Sequence, residues 1–141
     1  MSDVATMGMI FARWRRRASR ALAPFGISFS QFQLILLARR RGAISPSGAA
    51  DELSWDRPTT TLVVRKCVEA GWLERSRSRA DRRSARLALS GQGEELLDRI
   101  EAERALWPEC LGDALDILGS EERGELRRML GKVAMRARDL Y

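Results

Sequence analysis

Residues 45–71 read SPSGAADELSWDRPTTTLVVRKCVEAG, and this segment contains two helix starts in close succession. A serine followed by a proline at 45–46 is typical of a helix start, because the hydroxyl caps the first turn and proline needs no amide hydrogen there. Asp56 and Pro58 repeat that signature further along the chain, and Gly71 is a preferred residue just past a helix end. Two short helices joined by a tight turn at Ser54 and Trp55 are therefore predicted, which is a helix-turn-helix unit.

The second of these helices has two faces of different character when its residues are placed about 100° apart. Leu62 and Arg65 project from one face, which is free to enter the major groove of DNA. Small and apolar residues share the opposite face, and we expect them to pack against the first helix of the unit. They are Thr60, Val63, Val64, Cys67 and Ala70.

After Gly71 the hydrophobic period changes from that of a helix to that of a strand. Trp72 and Leu73 open one strand, and apolar residues from Ala85 to Leu89 alternate with small or polar ones in a second. The segment between them reads RSRSRADRR at residues 75–83. The sequence thus predicts a β-hairpin with an arginine-rich tip, the wing of a winged helix-turn-helix protein.

Further helices are predicted on both sides of this lobe. Apolar residues recur at helical spacing from Met7 to Leu22, and another helix follows Ser28 or Ser30 and stops at Gly42. The fold class is therefore mainly α with a small β-wing.

On the C-terminal side, Ser90 is expected to cap a long helix that Pro108 kinks or splits. A last helix begins near Ser120 and carries an apolar stripe that includes Leu130 and Val133. We expect a dimer, because these apolar residues exceed what one small lobe can cover.

Positive charge is concentrated in the middle of the chain. The net charge is +6, and residues 57–90 hold nine basic and three acidic side chains, whereas residues 91–141 hold eight basic and twelve acidic ones. A cationic segment that coincides with a helix-turn-helix unit and a wing favours a phosphate backbone as its partner.

The composition argues against catalysis, cofactors and membranes. The chain has no histidine, which removes the usual catalytic triads and zinc sites, and its two cysteines, Cys67 and Cys110, fit no disulfide or metal spacing. No apolar run approaches the roughly 18 residues that span a bilayer. We expect a cytoplasmic protein that is not an enzyme, has no catalytic residues, binds no metal and carries no cofactor.

The N-terminal arginines leave two interpretations open. Residues 13–20 hold five arginines, a composition that mitochondrial presequences share. We favour the alternative, a packed helix with a basic outer face.

Several short stretches match a known family in order and spacing over about half of the chain. Together they make the run from Gly26 to Leu97 resemble the MarR family of bacterial regulators (multiple-antibiotic-resistance regulators). The stretches are ISFSQFQL at 27–34, ADEL at 50–53, PT at 58–59, EAGWLER at 69–75, DRR at 81–83 and LALS at 87–90 followed by Gly93.

The resemblance implies a homodimer built from three parts of each chain. Residues 1–26 would be an N-terminal dimerisation helix, 27–90 the winged helix-turn-helix DNA-binding lobe and 91–141 the C-terminal dimerisation helices, all within one structural domain. It also implies double-stranded DNA with a pseudo-palindromic operator as the partner. We therefore predict a sequence-specific transcriptional regulator, a repressor that a small aromatic or phenolic effector releases.

The DNA-binding side chains are expected on the recognition helix and the wing. In the resemblance, Asp81 stabilises the wing and Arg83 reaches a minor groove, where narrow A·T tracts attract arginine. Leu62 stands where many relatives carry a polar or basic residue, and it can contact a thymine methyl but cannot donate a hydrogen bond. The predicted set is Arg57, Thr59, Thr61, Leu62, Arg65, Lys66, Arg77, Arg79, Arg82 and Arg83.

Aromatic residues fall in the helices that would line the family's effector cleft, although aromatic residues at helical spacing more often belong to the core. Arg15 or Arg16 is the candidate polar anchor that such a site needs. Cys67 and Cys110 are interpreted as small packing residues, with redox sensing as the alternative. The candidate effector residues are Phe11, Trp14, Phe25, Phe29 and Phe32.

Two other functions stay open at this point. One is a basic architectural DNA binder without a defined operator, and the other is an interaction module that has lost DNA binding. The wing arginines and the recognition-helix threonines disfavour the second of these. A regulator should prefer its operator over random DNA by roughly 10³ or more.

Overall fold

A computed structural model describes residues 1–77, 85–103 and 114–140 of the chain. By its internal contacts the chain divides into two units, Met1–Leu106 and Trp107–Tyr141, and each is described by itself. The prediction of a mainly α protein with a small β-wing is confirmed.

The first unit holds five α-helices and one β-hairpin among its described residues. A short 3₁₀ turn, Ala23–Phe25, separates the first two helices, and the second unit holds one long helix. The elements of the first unit are α1 (Asp3–Leu22), α2 (Phe29–Arg41), α3 (Pro46–Leu53), α4 (Arg57–Glu69), β1 (Leu73–Arg77), β2 (Ala85–Leu89) and α5 (Gly91–Ala102), and the second unit holds α6 (Ser120–Leu140).

The helices begin where the capping residues predict. Ser28, rather than Ser30, caps α2 in a reciprocal capping box, in which the Gln31 amide donates to Ser28 Oγ at 3.2 Å and the Ser28 amide donates to Gln31 Oε1 at 2.9 Å. Ser45 and Ser90 cap α3 and α5 through the amides of residues Gly48 and Gly93. Each cap satisfies amide groups that the first helical turn leaves without a partner.

The hairpin is tied to the helix-turn-helix unit by a short backbone bridge. β1 and β2 pair in antiparallel register, with Leu73 opposite Leu89 and Arg77 opposite Ala85. Ile44, just before α3, exchanges two backbone hydrogen bonds with Leu87, at 2.9 and 2.8 Å. The base of the wing and the start of α3 are therefore held in fixed relation.

The core of the first unit lies where α2 meets α1, α3, α4, α5 and the hairpin. Its fully buried large side chains are Leu22, Leu34, Ile35, Cys67, Leu87, Leu96 and Leu97. Arg39 of α2 also joins α5 through carboxylates spaced along one face of that helix, at 4.0 Å from Glu94, at 3.8 Å from Asp98 and in direct contact with Glu101.

Two details at the end of α4 differ from the sequence prediction. The helix ends at Glu69, so Ala70 is the C-cap residue and is exposed rather than on the buried face. The strand begins at Leu73 rather than Trp72, because Trp72 still closes the helix end by donating from its amide to the Cys67 carbonyl at 3.0 Å. The predicted kink at Pro108 lies outside the described residues.

Among the described helices, none is by itself long and apolar enough to cross a membrane; only the consecutive pair Asp3–Phe25 and Phe29–Arg41, bent by 82°, meets the criteria of length and composition together.

At Gly93, in the first turn of α5, any larger residue is expected to lower the stability of the fold. A Cβ atom built there would clash with the backbone carbonyl of Trp72 and with the side chain of Leu89. We expect Gly93→Ala to lower the free energy of unfolding by about 1–3 kcal/mol, the usual cost of overpacking. Urea unfolding followed by circular dichroism measures this change.

The matched control is Gly91→Ala, two residues earlier in the same helix turn, where nothing lies within 4 Å of the added carbon. Because alanine restricts the unfolded chain more than glycine does, this variant should be neutral or more stable by up to about 1 kcal/mol. Equal destabilisation by both substitutions would show that the contact with Trp72 is not what requires glycine.

Candidate nucleic-acid interface

The helix α4 is held against the lobe by one buried face. Thr60, Val63, Val64 and Cys67 are buried, and the helix packs on α2, α3 and β1. Thr60 is accommodated there because its hydroxyl donates to the Asp56 carbonyl at 2.7 Å, which satisfies a polar group that burial would otherwise penalise. The predicted inner face is confirmed except for Ala70.

Asp56 sets the N-terminus of α4. Its carboxylate accepts a hydrogen bond from the Thr59 amide at 2.7 Å. This backbone hydrogen bond, together with one from the Thr59 side chain, holds the pKa of Asp56 below its ordinary value. The cap is therefore ionised at neutral pH, where a negative charge stabilises the positive end of a helix.

The opposite face of α4 carries most of the side chains on this helix that are predicted from the sequence to contact DNA. Thr59 alone among those on this helix is half-buried, beside the Asp56 cap. The exposed ones are Arg57, Thr61, Leu62, Arg65 and Lys66. They project from one side of the lobe in the way a recognition helix requires, and their contact with DNA stays a prediction.

Several cations near this surface have no carboxylate partner among the residues that the structure describes. Arg65 is 3.9 Å from Glu69 one turn later, an exposed pair that contributes little. Arg41, at the end of α2, pairs with Glu52 of α3 at 2.7 Å. Within residues 57–77, the cations without such a described partner are Arg57, Lys66, Arg75 and Arg77. Phosphate groups are suitable counterions for them.

The predicted wing residues divide between described and undescribed parts of the chain. Arg77 is exposed at the end of β1, opposite Ala85 in the hairpin. The other three predicted arginines, Arg79, Arg82 and Arg83, and the wing-stabilising Asp81 lie outside the described residues.

Sequence reasoning missed Arg75 as a component of this surface. It lines a cleft of about 570 Å³ together with Arg57, Ser45 and Ser47, between the starts of α3 and α4 and the hairpin. Its side-chain position depends on how β1 packs beside α4, and no local pattern in the sequence encodes that packing. The available signals were its place in the EAGWLER stretch and at the start of the arginine-rich segment 75–83.

The candidate effector residues are only partly brought together. Phe11, Trp14 and Phe29 form an aromatic cluster, with centroid separations of 5.7 Å for Phe11–Trp14, 5.0 Å for Trp14–Phe29 and 6.4 Å for Phe11–Phe29. The guanidinium carbon of Arg15 lies 5.4 Å from the centre of the Phe29 ring, a cation–π distance. Phe25 and Phe32 are half-buried, and no described ring contact joins them to this cluster.

Cys67 behaves as a packing residue. Its side chain is fully buried, its Sγ lies 4.0 Å from the Gln31 carbonyl, and burial raises the pKa of the thiol to about 12. The thiolate is the form that reacts with oxidants, so this environment disfavours redox sensing at Cys67. Cys110 lies outside the described residues.

No group of three histidine, cysteine, aspartate or glutamate side chains that could hold a metal ion occurs in the described parts of the chain. The exposed face of α4 offers cations, hydroxyls and two apolar side chains, Pro58 and Leu62, for recognition. That set matches the chemistry of a DNA major groove and its flanking phosphates.

Comparison with known proteins identifies the family. The sequence profile described as MarR family matches residues 27–85. The HTH-type transcriptional regulator PecS of Dickeya dadantii (strain 3937) is 30% identical over 136 residues, which cover 94% of this chain and 80% of that protein. The chain belongs to the MarR family. It is a transcriptional regulator with a DNA-binding fold, and not an enzyme.

Solved MarR structures share the fold at lower sequence identity. A MarR regulator from Methanosarcina mazei Go1 superposes with a TM-score of 0.84 at 20% identity, covering 97% of this chain and 90% of that one. A cysteine-to-serine mutant of MarR from E. coli, complexed with operator DNA, gives a TM-score of 0.81 at 22% identity, with 92% and 91% covered.

Proposed function

We propose that this MarR-family protein is a cytoplasmic homodimer that binds a pseudo-palindromic operator and represses transcription until a small aromatic or phenolic effector releases it. The observation that carries the proposal is the outer face of α4, where Arg57, Thr61 and Arg65 are exposed around Leu62. Such a face gives both base contacts and phosphate contacts from one helix.

The homodimer is supported by apolar residues that remain exposed in the single chain. They occur in α1 and again in α6, whereas the lobe between them buries nearly all of its large apolar side chains. Exposed apolar stripes of this extent usually mark an interface. They include Val4, Met7, Ile10 and Phe11 in α1, and Met129, Leu130 and Val133 in α6.

Release by a small aromatic or phenolic effector is supported by the surroundings of Phe11, Trp14 and Phe29. The rings of Phe11, which is exposed, and Trp14, which is half-buried, give an apolar contact for an aromatic ligand, with the buried Phe29 ring behind them and Arg15 as a nearby cation. Arg15 also lines a surface cleft of about 530 Å³ along α1, together with Arg16, Arg20 and small residues. The aromatic rings are not part of that cleft's lining, so Arg15 is the residue that joins the two features.

Selection of bound duplexes from random DNA tests the proposed operator. We expect an inverted repeat whose half-sites are centred about one helical turn, roughly 10 base pairs, apart, because a two-fold dimer places its two recognition helices at that spacing. Recovery of a general base composition without a repeat would indicate an architectural DNA binder instead.

A further inference from the structure

Leu62 is an apolar side chain on an otherwise polar recognition surface. It is 42% exposed, and among the described residues 27–77 and 85–103, which comprise the lobe and α5, it is the only large apolar residue exposed to this degree. The other exposed large apolar residues lie at the N-terminus, in α1, at Ile117 and in α6. Packing within the lobe therefore does not explain why leucine stands at this position.

The surroundings of Leu62 define a small apolar site with a cationic rim. A shallow groove of about 370 Å³ is lined by Pro58 and Leu62, with Arg57, Thr61 and Arg65 around them. Pro58 lies one helical turn before Leu62, so the two side chains share a face. The centre of the buried face of α4 lies about 180° around the helix from this pair, which places the apolar site near the middle of the outer face.

The chemistry of the major groove limits what such a site can contact. The edges of the four base pairs present hydrogen-bond donors and acceptors, and the only apolar group among them is the C5-methyl group of thymine. The arginines at the rim can contact backbone phosphates or the hydrogen-bond acceptors on base edges next to the apolar site. A cationic rim also disfavours an apolar protein partner, whose docking would bury unpaired charges.

We propose that Leu62, backed by Pro58, reads the C5-methyl group of a pyrimidine at one position in each operator half-site. The proposal rests on the proposed function, and it names what the recognition helix reads. The contact recognises the methyl group rather than the whole base, so thymine and 5-methylcytosine are both accepted there and uracil and cytosine are not. Arg65 and Thr61, which lie on one flank of Leu62 around the helix axis, supply the hydrogen-bonding part of the readout.

The test compares labelled operator duplexes that carry thymine or uracil at each position of the half-site, because uracil lacks only the methyl group. At one position, uracil should weaken binding of the parent protein about fourfold, and about fifteenfold when both half-sites carry it, as expected for a lost methylene-sized contact. In Leu62→Ala the same duplexes should bind with equal affinity. The inference is overturned if uracil has no effect at any position, or if its effect persists in Leu62→Ala.

Arg65→Ala is the matched control, since it weakens the complex without removing the apolar site. It should bind every duplex less tightly and keep the ratio between thymine and uracil. At the position identified, 5-methylcytosine paired with guanine should bind the parent about fourfold more tightly than unmodified cytosine, and no more tightly in Leu62→Ala. Failure of the proposed function would look different, because the parent would then bind operator and scrambled duplexes alike.

Discussion

Replacing Leu130 with glutamate is expected to separate the proposed dimer and to weaken operator binding at least about 100-fold. Leu130 lies in the apolar stripe of α6 and is 46% exposed in the single chain. A two-fold interface would bring two such glutamates into one apolar surface, where a carboxylate without a partner is costly. A separated subunit reaches only one half-site and loses the 10²- to 10⁴-fold gain of bivalent binding.

Sedimentation and fluorescence anisotropy measure the two effects on the same sample. The matched control is Met135→Glu, which introduces the same charge in the same helix, at a position 72% exposed and on the side opposite Leu130. We expect Met135→Glu to remain a dimer with parental affinity for the operator. If Leu130→Glu is also a dimer that binds the operator like the parent, the interface does not include this stripe.

Replacing Arg65 with alanine is expected to weaken operator binding by roughly 30-fold or more. A recognition-helix arginine contributes about 1–3 kcal/mol for each site, and a dimer uses two. The ion pair with Glu69 does not oppose this role, because both side chains are about two-thirds exposed, at 65% and 68%, and 3.9 Å apart. A pair of that kind is readily exchanged for a nucleic-acid contact.

Arg99→Ala, which removes an equally charged and exposed residue from α5, controls for the loss of general positive charge. It should change operator affinity by less than about threefold, since exposed charges farther away than a Debye length are screened. Neither variant should alter the free energy of unfolding by more than about 0.5 kcal/mol, the usual range for surface substitutions. Equal losses of affinity in the two variants would mean that α4 is not the recognition helix.

The parts of the fold that the sequence predicts are those with local physical causes. Ser28, Ser45, Asp56 and Ser90 were recognisable as helix caps because their side chains act within three residues of the chain. The buried face of α4 followed from helical periodicity alone. The arginine-rich hairpin after Gly71 was predictable from the change of period.

Contacts between distant segments could not be predicted in this way. Arg39 meets three acids of α5 that lie 55 to 62 positions later. Nothing in the sequence distinguishes Arg39 from the other arginines as the partner of these acids. The place of Arg75 in the cleft beside Arg57 depends on how β1 packs next to α4. Trp14 and Phe29 were both predicted to be candidate effector residues. Their edge-to-face contact could not be predicted, because it depends on how α1 packs against α2.

The measurement that tests sequence-specific regulation most directly is the ratio of two dissociation constants at one fixed salt concentration. One is for the inverted repeat recovered by selection, and the other is for a scrambled duplex of the same length and composition. A repressor of the proposed kind should bind the repeat roughly 10³-fold or more tightly. A ratio within about tenfold would show that the cationic lobe binds DNA through its backbone alone, and would contradict the assignment of an operator to this protein.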